Sequence, residues 1–136
     1  MKTKIKKNIL KGVELITHHS FEDDRGKFRK IFCKNQFKKI LKEEIKQINI
    51  STSKKVGTVR GFHYKSIKED EKKIVTCLRG KIYDVVIDLR KNSSTFLKFF
   101  TIELSEDDNF SLLIPKGFAH GFQSLIRDSQ VLYCHT

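Results

Sequence analysis

Residues 60–64 read Arg60-Gly61-Phe62-His63-Tyr64, a histidine set between an arginine and two aromatics at the end of an apolar run. An imidazole titrates near neutral pH and serves as a general base, while a fixed guanidinium beside it attracts an anionic reactant. Gln47, Asn49 and Lys73 lie on flanking segments that can pair alongside, so the histidine comes with hydrogen-bond donors and a second cation. A lone histidine in a β protein is more often structural, and it is these neighbours that make His63 a candidate. A second cluster, Ile114 to Phe122, holds the only proline, two glycines and His120. Proline fixes φ and glycine frees it, so this is either a plain turn into an aromatic-rich strand or a place where Gly117 and Gly121 let a ligand approach the backbone near His120.

Residues of this kind need a rigid support, and the hydrophobic patterning predicts one made of strands. Val13 to Thr17 reads as a short strand, Phe21 to Gly26 as a turn rich in Asp and Arg, and Phe28 to Cys33 as a pleated segment. Phe37, Ile40, Leu41 and Ile45 recur at helical spacing, with Asn35 as the expected cap. Gln47 to Ser53 alternates, placing Gln47, Asn49 and Ser51 on one side, toward solvent or a cavity. Thr58 to Tyr64 follows, with Arg60 and His63 three residues apart and so on opposite pleats, and then a charged loop from Lys65 to Lys72. Ile74 to Leu78 and Ile82 to Leu89 form a hairpin around Arg79-Gly80-Lys81. Leu97 to Leu104, Phe110 to Ile114, Ala119 to Ile126 and Gln130 to His135 complete about nine strands with one short helix. With no βαβ rhythm and no internal repeat, this pattern is all-β: an antiparallel sandwich or barrel of the jelly-roll kind.

A chain of 136 residues is sized for one domain, residues 1–136, and its eleven phenylalanines can fill one core. The N-terminal stretch Met1 to Lys11 is basic without the apolar run of a signal peptide, and no segment approaches the roughly 20 apolar residues that span a bilayer, so a cytoplasmic protein without membrane contact is expected. Three scattered cysteines, Cys33, Cys77 and Cys134, read as buried thiols. The net charge of +12 raises nucleic acid as a partner, but the excess is lysine spread along the chain with acidic runs between. A solvated lysine-rich surface is the expectation, with no nucleic acid; the same field favours an anionic small molecule.

Taken together, Arg60 to Tyr64, Lys73-Ile74-Val75 leading to Gly80, Asp84 to Arg90 with Ser93 and Thr95-Phe96, and Ile114 to Phe122 resemble the dTDP-4-dehydrorhamnose 3,5-epimerase family. Phe21 to Gly26 and Gln47-Ile48-Asn49 fit the same order and spacing, so the resemblance runs from about Leu10 to Tyr133. It implies a cupin-like jelly-roll β-sandwich, homodimeric, that epimerises C3 and C5 of a 4-keto-6-deoxy nucleotide sugar for surface-polysaccharide precursors, with no metal or nicotinamide cofactor. By resemblance His63 is the base, Lys73 holds the enolate oxygen and Tyr133 returns the proton from the opposite face. Arg25, Gln47, Asn49, Arg60 and His120 match positions that hold the nucleotide diphosphate and sugar.

Metal-binding cupins share an H-x-H pair, which His63-Tyr64-Lys65 breaks, leaving His63 and His120 as an incomplete ligand set. Two departures accompany the resemblance. Lys30 stands where the family carries a glutamate near the nucleotide, and the family runs on past Tyr133 with an aspartate that orients the catalytic histidine, whereas this chain ends at Thr136. No carboxylate is assigned to His63 from the sequence, which keeps a non-catalytic sugar-nucleotide binding module, or another cupin-type isomerase, as the alternative.

Overall fold

The computed structural model describes residues 10–66 and 68–136; most of the basic lead-in, and Ile67 of the charged loop, lie outside the described residues. The strands are β1 (Glu14–Thr17), β2 (His19–Asp23), β3 (Gly26–Lys30), β4 (Gln47–Ser53), β5 (Val59–His63), β6 (Lys73–Arg79), β7 (Lys81–Asp88), β8 (Phe99–Ser105), β9 (Phe110–Ile114), β10 (Phe118–Ser124) and β11 (Ser129–His135). One helix, α1 (Lys34–Leu41), falls between β3 and β4. Two antiparallel sheets, in orders β1-β9-β6-β11-β4 and β5-β10-β7-β8, face each other as a jelly-roll sandwich, and β2-β3 form a separate two-stranded ribbon.

Alternation explains the core. On the five-stranded sheet Val75, Cys77, Leu112 and Val131 turn inward, where they meet Ile82, Val86, Leu104, Phe118 and Phe122 of the other sheet. The residues between them, Ile74, Leu113 and Cys134, turn outward and are covered by Phe37 and Leu41 of α1. β6 is therefore buried on both faces, which is why Ile74 to Cys77 is buried throughout and its one polar residue, Thr76, is hydrogen-bonded to Ser111. Cys77 and Cys134 are buried free thiols as expected, whereas Cys33 is only partly covered. Burial pushes the Cys77 thiol up to about 11, so it stays protonated and packs as a small hydrophobe.

Several sequence expectations shift. Phe21 to Gly26 is a hairpin and not a plain turn: β2 and β3 pair Phe21 with Phe28 and Asp23 with Gly26, leaving only Asp24-Arg25 to reverse the chain. The helix starts under Cys33 with no side-chain cap, so Asn35 lies inside it, and it stops where Lys42 adopts a left-handed φ of 57°. Ile45 thus lies beyond the helix, against the same outer cluster. The strand expected from Leu97 starts at Phe99, because Leu97 takes φ 61° in the preceding turn. In that connection Asp88 accepts hydrogen bonds from Arg90, Ser93 and Thr95, and Arg90 lies 4.5 Å over the Phe118 ring. This part of the Asp84 to Phe96 motif holds a loop in place.

Candidate active site

A cavity of about 300 Å³ opens between the sheets. The five-stranded wall presents Asn49, Ser51, Lys73, Tyr133 and His135, and the four-stranded wall presents Arg60, His63, His120 and Phe122. Strand register sets the first group in rows. Tyr133 on β11 lies between Asn49 on β4 and Val75 on β6, and His135 lies between Gln47 and Lys73. Because residues two apart share a pleat face, Asn49 and Ser51 on β4 and Tyr133 and His135 on β11 all reach the same cavity.

The opposite wall depends on an irregularity. Across β10, His63 pairs with His120 but Arg60 pairs with Phe122, so three steps on β5 match two on β10. This bulge absorbs the extra residue and brings Arg60 and His63 to one face, overturning the expectation that they lie on opposite pleats. Glycine makes it possible. Gly61 has φ 124°, and a Cβ there would sit 2.6 Å from Gly121 Cα and 2.8 Å from the His120 carbonyl oxygen. Gly121 therefore admits a neighbouring strand and not a ligand. Gly117, with φ 86°, faces the Arg90 side chain, so neither glycine serves the backbone approach expected from the sequence.

Arg60 is anchored across the gap: Nε donates to Ser53 Oγ at 3.1 Å and Nη2 to the Thr52 carbonyl at 2.9 Å, leaving the remaining donors of its fork for a ligand. Tyr133 Oη and Ser51 Oγ are 3.0 Å apart. Burial raises the phenol above its ordinary value, with Ser51 and the Arg60 charge opposing, so Tyr133 stays protonated. Burial likewise pulls the Lys73 ammonium below its ordinary value, and Glu71 works against that shift. A cation of lowered pKa in a half-buried site suits an enolate oxygen, since it both attracts charge and shares a proton.

His120 is buried, and its Nε2 lies 2.8 Å from Asp84 Oδ2, whose side chain is fully buried. The His120 and Tyr133 rings meet edge-on across the cavity at 6.5 Å. Gln47 sits beside the cavity and not in its lining, with Nε2 donating to Asn49 Oδ1 at 3.1 Å. Arg25 is not brought in at all: it occupies the tip of the β2-β3 ribbon, paired with Asp23 at 2.6 Å, with its side chain 85% exposed. Among the described residues no carboxylate is hydrogen-bonded to His63; Asp84 serves His120, and Glu71 serves His135. No three His, Cys, Asp or Glu side chains gather as a cation site among the described residues, and no helix there is long and apolar enough to cross a membrane.

Sequence reasoning passed over Asp84, Ser51 and His135 as site residues. Asp84 carried a usable signal, an aspartate in the middle of a mostly apolar strand, where Ile82, Asp84, Val86 and Asp88 are the buried set. Ser51 stood in the same alternating set as Asn49, and His135 shares the parity of Tyr133.

Fold and cavity together define a cupin-type sandwich whose two inner walls carry titratable and cationic side chains. Residues 7–136 match the family model described as dTDP-4-dehydrorhamnose 3,5-epimerase, and the chain belongs to that family. It is 38% identical over 122 residues to a dTDP-4-dehydrorhamnose 3,5-epimerase of Sinorhizobium fredii, an alignment covering 89% of this chain and 63% of that one. The chain thus spans a little under two thirds of that relative's length. Among solved structures, the Legionella pneumophila epimerase in complex with dTDP-4-keto-L-rhamnose superposes with a TM-score of 0.90 at 31% identity, covering 99% of this chain and 72% of that chain. The Bacillus anthracis epimerase with TDP and pyrophosphate bound gives 0.89 at 35% identity, covering 98% and 77%. The family read from the ordered motifs is the one found.

Proposed function

We propose that this chain epimerises C3, C5 or both of a 4-keto-6-deoxy sugar carried on a nucleoside diphosphate, with dTDP-4-dehydro-6-deoxyglucose as the type substrate. The observation that carries the reading is the placement of His63 on one wall of the cavity, with Lys73 and Tyr133 on the other. His63 removes the proton on the carbon next to the ketone. The C–H electron pair becomes the enolate double bond, and the carbonyl pair moves to oxygen beside the Lys73 ammonium. Tyr133 then protonates the same carbon from the opposite wall, which inverts it, and solvent resets both groups. Only protons move, so the chemistry calls for no nicotinamide and no metal.

Arg60, Asn49 and His120 hold the sugar diphosphate, and Gln47 sets the Asn49 amide. Arg60 suits the diphosphate because a planar fork bonds oxygens in pairs. The β2-β3 ribbon carries Phe21 and Phe28 exposed at 60% and 68%, with Arg25 at its tip. In a homodimer this ribbon reaches a second copy, and Arg25 there contributes to nucleotide binding. The setting is cytoplasmic, within rhamnose and surface-polysaccharide precursor synthesis.

The test is incubation with dTDP-4-dehydro-6-deoxyglucose in D₂O, followed by NMR of the sugar. Deuterium entering C3 or C5, and lost in His63→Ala, supports the reading; a sugar unlabelled by the wild-type chain overturns it. His63 lacks a carboxylate partner among the described residues, and this favours a second reading, a binding module without turnover. That reading is met by saturable, Arg60-dependent binding with no exchange.

A further inference from the structure

The cavity holds an imidazole to which the reaction above gives no task. His135 lies two residues beyond Tyr133 on β11, so both side chains share a pleat face, and their rings stack with centroids 6.1 Å apart. Nδ1 of His135 is 2.8 Å from Oε1 of Glu71, the two side chains being 13% and 10% exposed. The other Glu71 oxygen accepts from Lys65 Nζ at 2.8 Å. On the far side, His135 Nε2 meets the Asn49 amide nitrogen at 3.4 Å.

Donor and acceptor chemistry assigns the tautomer. An ionised carboxylate only accepts, so Nδ1 carries the hydrogen; an amide NH₂ only donates, so Nε2 presents its lone pair. A carboxylate behind an imidazole fixes its orientation and tautomer. The Asn49 contact is long for a hydrogen bond, and a ligand atom can take its place. Tyr133, on the same wall, is a poor acid at neutral pH, because a phenol titrates near 10 and burial raises this one further. An imidazole is the side chain best suited to proton transfer near neutral pH.

We propose that His135, oriented by Glu71, is a second proton-transferring residue of this cavity, working from the wall that also carries Tyr133. In its step the imidazolium gives the Nε2 proton to the enolate carbon. The double-bond pair forms the new C–H bond, the oxygen pair closes the carbonyl, and the neutral imidazole recovers a proton from solvent. The inference rests on the epimerase reading.

The experiment follows deuterium uptake into dTDP-4-dehydro-6-deoxyglucose by the full chain and by His135→Gln, Glu71→Gln, Tyr133→Phe and the Tyr133→Phe, His135→Gln double variant, across pH 5 to 9. Expected for His135→Gln is a fall in kcat of about 10²-fold or more at little change in KM. Glu71→Gln, which keeps the side-chain shape and so guards against a variant that fails to fold, lowers kcat in the same direction as His135→Gln at little change in KM, because the ring loses the carboxylate that orients it. Tyr133→Phe keeps residual exchange, which the double variant loses. Wild-type exchange with a folded His135→Gln of equal rate and unchanged profile overturns the assignment and leaves the epimerase reading standing. A wild-type chain that exchanges nothing overturns both.

Discussion

Replacing Gly61 with alanine tests whether the bulge in β5 builds the four-stranded wall. Two costs add. The φ of 124° is one that residues with a Cβ rarely adopt, worth about 1–3 kcal/mol. The new Cβ would also lie 2.6 Å from Gly121 Cα and 2.8 Å from the His120 carbonyl, both backbone atoms that no side-chain rotation can move aside. Overpacking of this kind costs about 1–3 kcal/mol more. The sum, about 2–6 kcal/mol, is a large fraction of the roughly 5–15 kcal/mol that holds a domain folded. Gly26 supplies an internal control: its φ is 122°, yet a Cβ there meets nothing within 4 Å. Gly26→Ala should carry the backbone cost alone. Urea denaturation of both variants should place Gly61→Ala about 1–3 kcal/mol below Gly26→Ala, the size of the steric part. In the fraction that stays folded, exchange should fall because Arg60 and His63 no longer share a face. Equal losses in the two variants would refute the claim that close approach of β5 and β10 sets the bulge.

Three further outcomes follow from the cavity's buried charges. Lys73→Met should abolish exchange yet raise stability at pH 7 by about 0.5–2 kcal/mol, the usual range for stabilising replacements. Burial lowers the Lys73 pKa in the folded state, so its charge opposes folding below that value and the opposition fades as pH rises toward the ordinary 10.5; denaturation curves of the two proteins should converge there. His120→Ala should cost about 3–5 kcal/mol, because it leaves the buried Asp84 carboxylate unpaired, and adding Asp84→Leu should recover much of the loss in the same assay. Burial acts to raise the Glu71 carboxyl, but hydrogen bonds from Lys65 and His135 prevail and hold it below its ordinary 4.5. Its stabilising contribution is therefore complete above about pH 4.5 and lost as pH falls through the lower folded value, so Glu71→Gln should be the less stable protein at pH 6 and match wild type in strong acid.

The two sheets were legible where one chemical habit dominates. The β6-β7 hairpin announced itself through a glycine between two apolar runs, and Gln47 to Ser53 through strict alternation. The β2-β3 ribbon was half hidden because its reversal is rich in Asp, Arg and Gly, a composition that reads as loop whether or not strands flank it. The helix was read too long at its C-terminal end because the apolar spacing continues to Ile45 while the backbone turns left-handed at Lys42. Periodicity reports which face is apolar and is silent on where the hydrogen-bond ladder stops.

The site needed information of another kind. The roles expected of His63, Lys73 and Tyr133 come from the family resemblance, whereas the wall each occupies depends on which sheet its strand joins. β4 and β5 are near neighbours in sequence, yet β4 pairs with β11 and β5 with β10, so Asn49 and Ser51 face Arg60 and His63 across the gap. The Arg60 bonds back to Ser53 and Thr52 tie the two edges together. Pairs such as His120 with Asp84 and His135 with Glu71 join residues 36 and 64 apart, set by register and not by any local pattern. Inverting a carbon requires groups on opposite sides of it, so the proposed epimerisation depends on β5 and β11 joining different sheets, which sets His63 across the cavity from Tyr133.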